Sequence, residues 1–179
     1  HGVSKRGVEE IAADLFDAPL ALGTVANLEQ EVSAALARPH HEAVAAVRAA
    51  AVKNADETGW KLRGKLCWLW GAATAGVAAF VIHARRSAVG LAALLGSTIQ
   101  GILCSDRWGT YNAWPALRPQ WCWAHLKRDF RKCLERGGDG ERIGKAGLKA
   151  VRRVFEEWHL FRGGGIKRRT LIARLDPVA

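Results

Sequence analysis

From residue 4 to about residue 52 the apolar positions recur at helical spacing. In "SKRGVEEIAADLF" (4–16), Val8, Ile11, Leu15 and Phe16 fall on one face, and Ser4 stands where an N-cap belongs. Pro19 and Gly23 in "DAPLALG" break the pattern. Thr24 then caps a second expected helix, "TVANLEQEVSAALA", which aligns Val25, Leu28, Val32 and Leu36. Pro39 is placed to open a third helix that reaches about Val52. Two short helices joined by a tight turn suit a helix-turn-helix reader of DNA and equally a plain helical hairpin. The pattern admits both.

Past Val52 the period shortens to two. Residues 54–62, 65–73 and 76–84 read as three strands, with turns at "RGK" and around Gly76. Leu66–Trp70 and Val77–Ile82 are so apolar that burial of both strand faces is expected, with Trp68 and Trp70 in the core. Ser87 caps a short helix, "SAVGLAALLG", closed by Gly96, and "GILCSD" is a fourth strand ending at Asp106. Gly109, Asn112, Pro115 and Pro119 mark a loop. "QWCWAHLKRDFRKCLER" starts as a brief strand and continues as a basic helix. Residues 137–147 are glycine-rich and read as loose, and 148–161 read as a helix with Val151, Val154, Phe155 and Trp158 inward. "RGGGIKRR" then sets off a last helical turn.

This order predicts an α/β chain in three parts: a helical region over 1–53, a sheet-bearing core over 54–136, and a basic helical region over 137–179. The crossover through a helix makes the fourth strand parallel to an earlier one and usually its neighbour. If that neighbour is the first strand, Asp56 and Asp106 come together, because adjacent strands lie about 4.8 Å apart.

Composition narrows the setting. The 179 residues suffice for one domain with a real core. No apolar run approaches the roughly 20 residues that span a bilayer, so no membrane role is expected. The four cysteines are too sparse for a disulfide framework and point to a reducing, cytoplasmic setting. The chain begins with His1 and has no methionine, so it is expected to be a piece of a longer one. The net charge of +10 is unevenly placed. Residues 1–117 hold 11 Lys or Arg against 10 Asp or Glu, and residues 118–179 hold 16 against 7. A basic segment on a neutral one suits a polyanion such as DNA. A solvated basic helix face is the alternative.

Paired carboxylates repel unless a cation lies between them. Hard ions such as Mg2+ accept one or two carboxylates plus waters and substrate phosphates, and two such ions can serve in-line displacement at phosphorus. "ADETGW", "LCWLWGAAT", "HARRSA", "GILCSDRWGTYN" and "CWAHLKRDF", in this order, resemble the catalytic core of bacterial transposases of the insertion-sequence family numbered sixty-six. The late stretch "FEEWHLFRGGGIKRRTLIARLDPV" resembles the same family's helical region.

The resemblance implies a ribonuclease-H-like mixed sheet of three antiparallel strands, a helix and a parallel fourth strand. It also implies an Asp-Asp-Glu triad that, with Mg2+ or Mn2+, cuts and joins DNA at element ends and in target DNA. Asp56 matches the aspartate of "DET" and Asp106 that of "SDRW". The family's glutamate motif of the type Asn-Asn-x-x-Glu-Arg does not occur, and Glu135, Glu141, Glu156 and Glu157 lack its context. This chain alone is therefore expected to be inactive, and the complete protein can be a homo-oligomer. The rival expectation is a non-catalytic DNA-binding remnant. Cys122 and His125 have a C-x-x-H spacing, but no second pair completes the four ligands of a structural zinc. His125 is expected to face DNA phosphates or make a structural hydrogen bond, with Lys127, Arg128, Arg131 and Lys132 on the following helix as phosphate contacts. Trp108 is placed to shape the site beside Asp106.

Overall fold

A two-residue turn at Arg63 and Gly64, with φ of 49° and 77°, folds the first two strands onto each other. Positive φ at both positions is what a type I′ hairpin needs, and glycine takes it without steric cost. In this computed structural model, residues 3–113 and 118–176 are described, and the chain divides into two units. One comprises residues 1–53 and 57–100, the other 54–56 and 101–179. The expected loop residue Pro115 lies outside the described residues.

The first unit begins with α1 (Lys5–Phe16), where the Gly7 N–H donates to the Ser4 hydroxyl at 3.0 Å as the sequence predicts. Helix α2 (Leu22–Ala49) differs from the expected pair of helices. It starts two residues before Thr24 and runs through Pro39 without stopping. Proline removes only one donor, the one the Ala35 carbonyl would accept, while alanine-rich turns and an Arg38–Glu42 ion pair at 2.8 Å support the helix around it.

Strands β1 (Val52–Leu62), β2 (Lys65–Ala73) and β3 (Ala78–His83) follow within two residues of the expected limits. β2 and β3 pair antiparallel from Trp68 opposite His83 to Ala73 opposite Ala78. Their two faces are not both covered. Phe80 and Ile82 are exposed and alternate with buried Ala79, which shares its face with fully buried Trp70 and with Ala72, so one face is covered and the other is left open. Helix α3 (Ala88–Leu95) supplies that cover with Leu91, Leu94 and Leu95. Gly90 lets it approach the Trp70 indole, which any Cβ there would strike. Ser87 precedes α3, but its buried hydroxyl makes no capping bond among the described residues. The carbonyls of Ala93 and Leu94 at the end of α3 instead accept from Arg48 of α2 at 3.0 and 2.9 Å. Lys53 is buried, and its ammonium donates to the carbonyls of Arg48 and Gln100 at 2.8 and 3.1 Å. Burial lowers its pKa.

The second unit carries β4 (Ile102–Ser105) and β5 (Arg118–Trp121), paired parallel with Leu103 opposite Pro119. Pro119, read from sequence as a loop signal, sits in the terminal strand of the sheet, where a missing N–H is tolerated. Helix α4 (Trp123–Glu135) follows. The next element departs most from expectation: the glycine-rich stretch 137–147 is not loose but opens α5 (Gly138–Arg162). Gly140, Gly144 and Gly147 lie three or four residues apart on one helix face. A Cβ at Gly140 would meet the Cys133 carbonyl at 2.7 Å, one at Gly144 would meet the Leu134 amide nitrogen at 2.5 Å, and one at Gly147 would strike the Phe130 ring. The glycines let α4 and α5 touch backbone to backbone. On α5, Val151 is buried as expected, whereas Phe155 and Trp158 are 36% and 42% exposed rather than inward. A short α6 (Arg168–Leu175) is tied back by Arg174, which pairs with Glu157 at 3.0 Å.

The five strands form one mixed sheet in the order β3-β2-β1-β4-β5. Three consecutive strands, a helix, and a fourth strand beside the first make the ribonuclease-H-like arrangement expected from the sequence. No helix among the described residues is long and apolar enough to cross a membrane.

Candidate metal-binding site

Alternation along β1 separates two adjacent carboxylates. Lys53 and Ala55 are buried, and the Glu57 side chain, on the same face, is only 1% exposed. Asn54, Asp56 and Thr58 belong to the exposed set. Glu57 is neutralised by Arg86, whose Nε and Nη2 both donate to Oε1 at 2.9 and 2.7 Å. The same guanidinium lies 5.1 Å from the Trp68 ring centre, a cation–π contact that fixes it further.

Asp106 immediately follows β4, the strand next to β1, and Asp56 and Asp106 belong to the same unit. Asp106 is half-buried, and its Oδ1 accepts the Trp108 N–H at 2.9 Å, an Asx-type turn that orients the carboxylate. Trp108 meets Tyr111 edge to face at 6.1 Å, and the Tyr111 N–H donates to the Trp108 carbonyl at 3.1 Å. The buried Tyr111 thereby anchors the loop. Arg107 points elsewhere: it pairs with Asp129 of α4 at 2.5 Å and lies 5.9 Å from the Trp121 ring. Strand and helix thus hold both sides of the segment that carries Asp106.

Asp56 on β1 and Asp106 just past the end of β4 are carboxylates of the kind a hard divalent cation takes, one or two from protein when waters and phosphates complete its shell. Among the described residues no group of three or more His, Cys, Asp or Glu gathers as a metal cage. Two of the four glutamates set aside on sequence context have other engagements. Glu141 pairs with Lys145 at 2.5 Å, and Glu157 with Arg174.

Four other expected residues are exposed along α4: Lys127, Arg128, Arg131 and Lys132. Lys127 and Arg131 face a cleft shared with α5, and Arg128 and Lys132 lie about 100° further round the helix. His125 is half-buried, and its Nδ1 is buried with no partner among the described residues. Cys122, three residues earlier, sits near Cys104. Burial, then the neighbouring Cys122 thiol, raises the Cys104 pKa and keeps it protonated. All four cysteines are free.

Sequence reasoning missed two sets of contacts next to the candidate aspartates in the chain: Glu57 with Arg86 and Trp68, and Arg107 with Asp129 and Trp121. Strand alternation could have separated Glu57 from Asp56. The arginine partners are distant in sequence, and no spacing rule finds them.

Two solved structures show partial likeness. One is the cryoEM structure of the simian T-cell lymphotropic virus intasome in complex with the PP2A regulatory subunit B56 gamma. There the identity is 14% over 54% of this chain and 46% of that chain, with a TM-score of 0.32. The other is the HTLV-2 integrase catalytic core domain in complex with magnesium, in a trimeric form, at 10% identity over 57% of this chain and 84% of that one, with a TM-score of 0.30. This chain thus spans under half the length of the first. No curated protein matches the sequence. The sequence profile described as Transposase IS66 family matches residues 2–170. That match runs through nearly every element of the fold, and the chain belongs to the IS66 family of transposases.

Proposed function

We propose that this chain carries the metal-binding carboxylates of a DNA transposase that cleaves strands at element ends and joins them to target DNA. The observation that supports this most is that Asp56 lies on β1 and Asp106 just past the end of the neighbouring β4, within one unit, in a chain of a transposase family. Asp56, on the exposed face of β1, and Asp106, oriented by the Trp108 N–H, would hold Mg2+ or Mn2+. Such an ion, when bound, supplies charge neutralisation at phosphorus and activates the attacking oxygen. The chain's own work is positioning. The Trp108–Tyr111 contact and the Arg107–Asp129 pair keep the Asp106 loop in place, and misplacement by even ~1 Å can cost on the order of a hundredfold in rate. Lys127, Arg128, Arg131 and Lys132 would draw the DNA backbone to α4 through phosphate contacts.

A second reading, DNA binding without catalysis, is favoured by the lack of any three-ligand group among the described residues. One assay separates the two. Labelled duplex is incubated with Mg2+ or Mn2+ and the chain, alone and joined to a C-terminal extension bearing the family's glutamate motif. Cleavage in the extended protein that disappears in Asp56→Asn and in Asp106→Asn supports the enzyme. Binding without cleavage in both proteins supports the second reading, and cleavage that survives both substitutions overturns the site.

A further inference from the structure

The hairpin of α4 and α5 is closed by glycines at one end and carries a cleft of about 670 Å3 toward the other, where Trp123 begins α4. α4 lines it with Trp123, Lys127 and Arg131, and α5 with Arg152, Phe155 and His159. These positions recur every three or four residues on each helix, so one face of each meets the cleft. The rings form a continuous series: Trp123 and Phe155 meet edge to face at 5.9 Å, and Phe155 and His159 lie 6.3 Å apart, tilted by 39°. Phe155 is 36% exposed although it is a large apolar ring, and Lys127, Arg131, Arg152 and His159 are exposed around it. Among the described residues, Glu156 is the one acid in the lining.

Cations interleaved with accessible aromatic faces complement a particular kind of polyanion. Duplex DNA offers phosphates but hides its base faces in the stack, so it could use only the lysine and arginines. An unpaired strand offers both, and base–aromatic stacking is what sequence-tolerant single-strand sites use. The volume lies within the roughly 300–1,000 Å3 of pockets that enclose small-molecule-sized groups, enough for a base or two.

Resting on the DNA-transposase reading, we propose that the α4–α5 cleft binds an unpaired stretch of DNA. A base stacks on the Trp123–Phe155–His159 series while Lys127, Arg131 and Arg152 hold the flanking phosphates. The strand-breaking site and the strand-holding site would then lie on the same unit of the chain.

The test compares a short labelled oligothymidylate with a hairpin duplex of equal phosphate number, by fluorescence anisotropy at fixed salt, using the full chain. Phe155→Leu, which keeps the apolar bulk but removes the ring, should weaken single-strand binding about 10-fold or more and leave duplex binding unchanged. His159→Gln, at an exposed ring, should show a smaller loss of the same selectivity, and it keeps the test valid if Phe155→Leu does not fold. Arg152→Gln should weaken both ligands. Equal loss of single-strand and duplex binding in the ring variants, or no loss in either, overturns the cleft assignment while the duplex reading stands. Failure of the unaltered chain to bind either DNA at low salt removes the DNA reading and the cleft together.

Discussion

Asp56 and Glu57 are neighbours in sequence, yet their surroundings assign them different work. A strand turns successive side chains to opposite faces, so Glu57 meets Arg86 and Trp68 while Asp56 stays on the exposed face. Glu57→Ala should therefore lower stability by about 1–3 kcal/mol, because it removes a buried carboxylate that accepts two charge-assisted bonds from Arg86. Asp56→Asn should move stability by no more than about 0.5 kcal/mol. Urea denaturation of the two variants decides, and equal losses would contradict the two-face assignment. The "DET" motif placed a carboxylate at the edge of the core, and family resemblance chose Asp56 over its neighbour. The pairing of Glu57 with Arg86 spans 29 positions, and only the folded sheet brings it about.

At the scale of elements, the strands were legible because period-two alternation and turn residues agree: the "RGK" turn became the Arg63–Gly64 hairpin. Two helices were not. Pro39 looked like a start, but the cost of one missing hydrogen bond is outweighed by helix on both sides. Glycines at 140, 144 and 147 looked like a break, because glycine propensity is poor and the partner helix cannot be seen from the sequence. Their value lies in packing, which gives a signed prediction. Gly144→Ala should destabilise by about 1–3 kcal/mol despite alanine's better propensity, since its Cβ would stand 2.6 Å from the Phe130 carbonyl oxygen and backbone must move. Gly23→Ala in the first turn of α2, with nothing within 4 Å, should be neutral or stabilising by up to about 1 kcal/mol. Thermal melts of both variants check the opposite signs. A stabilising Gly144→Ala would mean the helices do not touch there.

Over the whole molecule, the net charge of +10 resides mostly past residue 117, and the sequence showed this without any fold. What it could not show is that the basic residues of α4 divide between a cleft with aromatic walls and an open helix face. If they bind phosphate, replacing Lys127, Arg128, Arg131 and Lys132 by Ala should reduce the slope of log K against log salt by about 0.9 for each phosphate no longer neutralised. An unchanged slope would make the cluster a solvated face. The central claim concerns the acids instead: Asp56 and Asp106 act together on one divalent ion. It is tested most directly by titrating Mn2+ into the chain and following free ion by electron paramagnetic resonance, alongside Asp56→Asn and Asp106→Asn. The expected result is binding to the unaltered chain that disappears in either variant, with folded circular dichroism spectra and unchanged DNA affinity in chelator. Equal Mn2+ binding by all three proteins, or none by the unaltered chain, would contradict it.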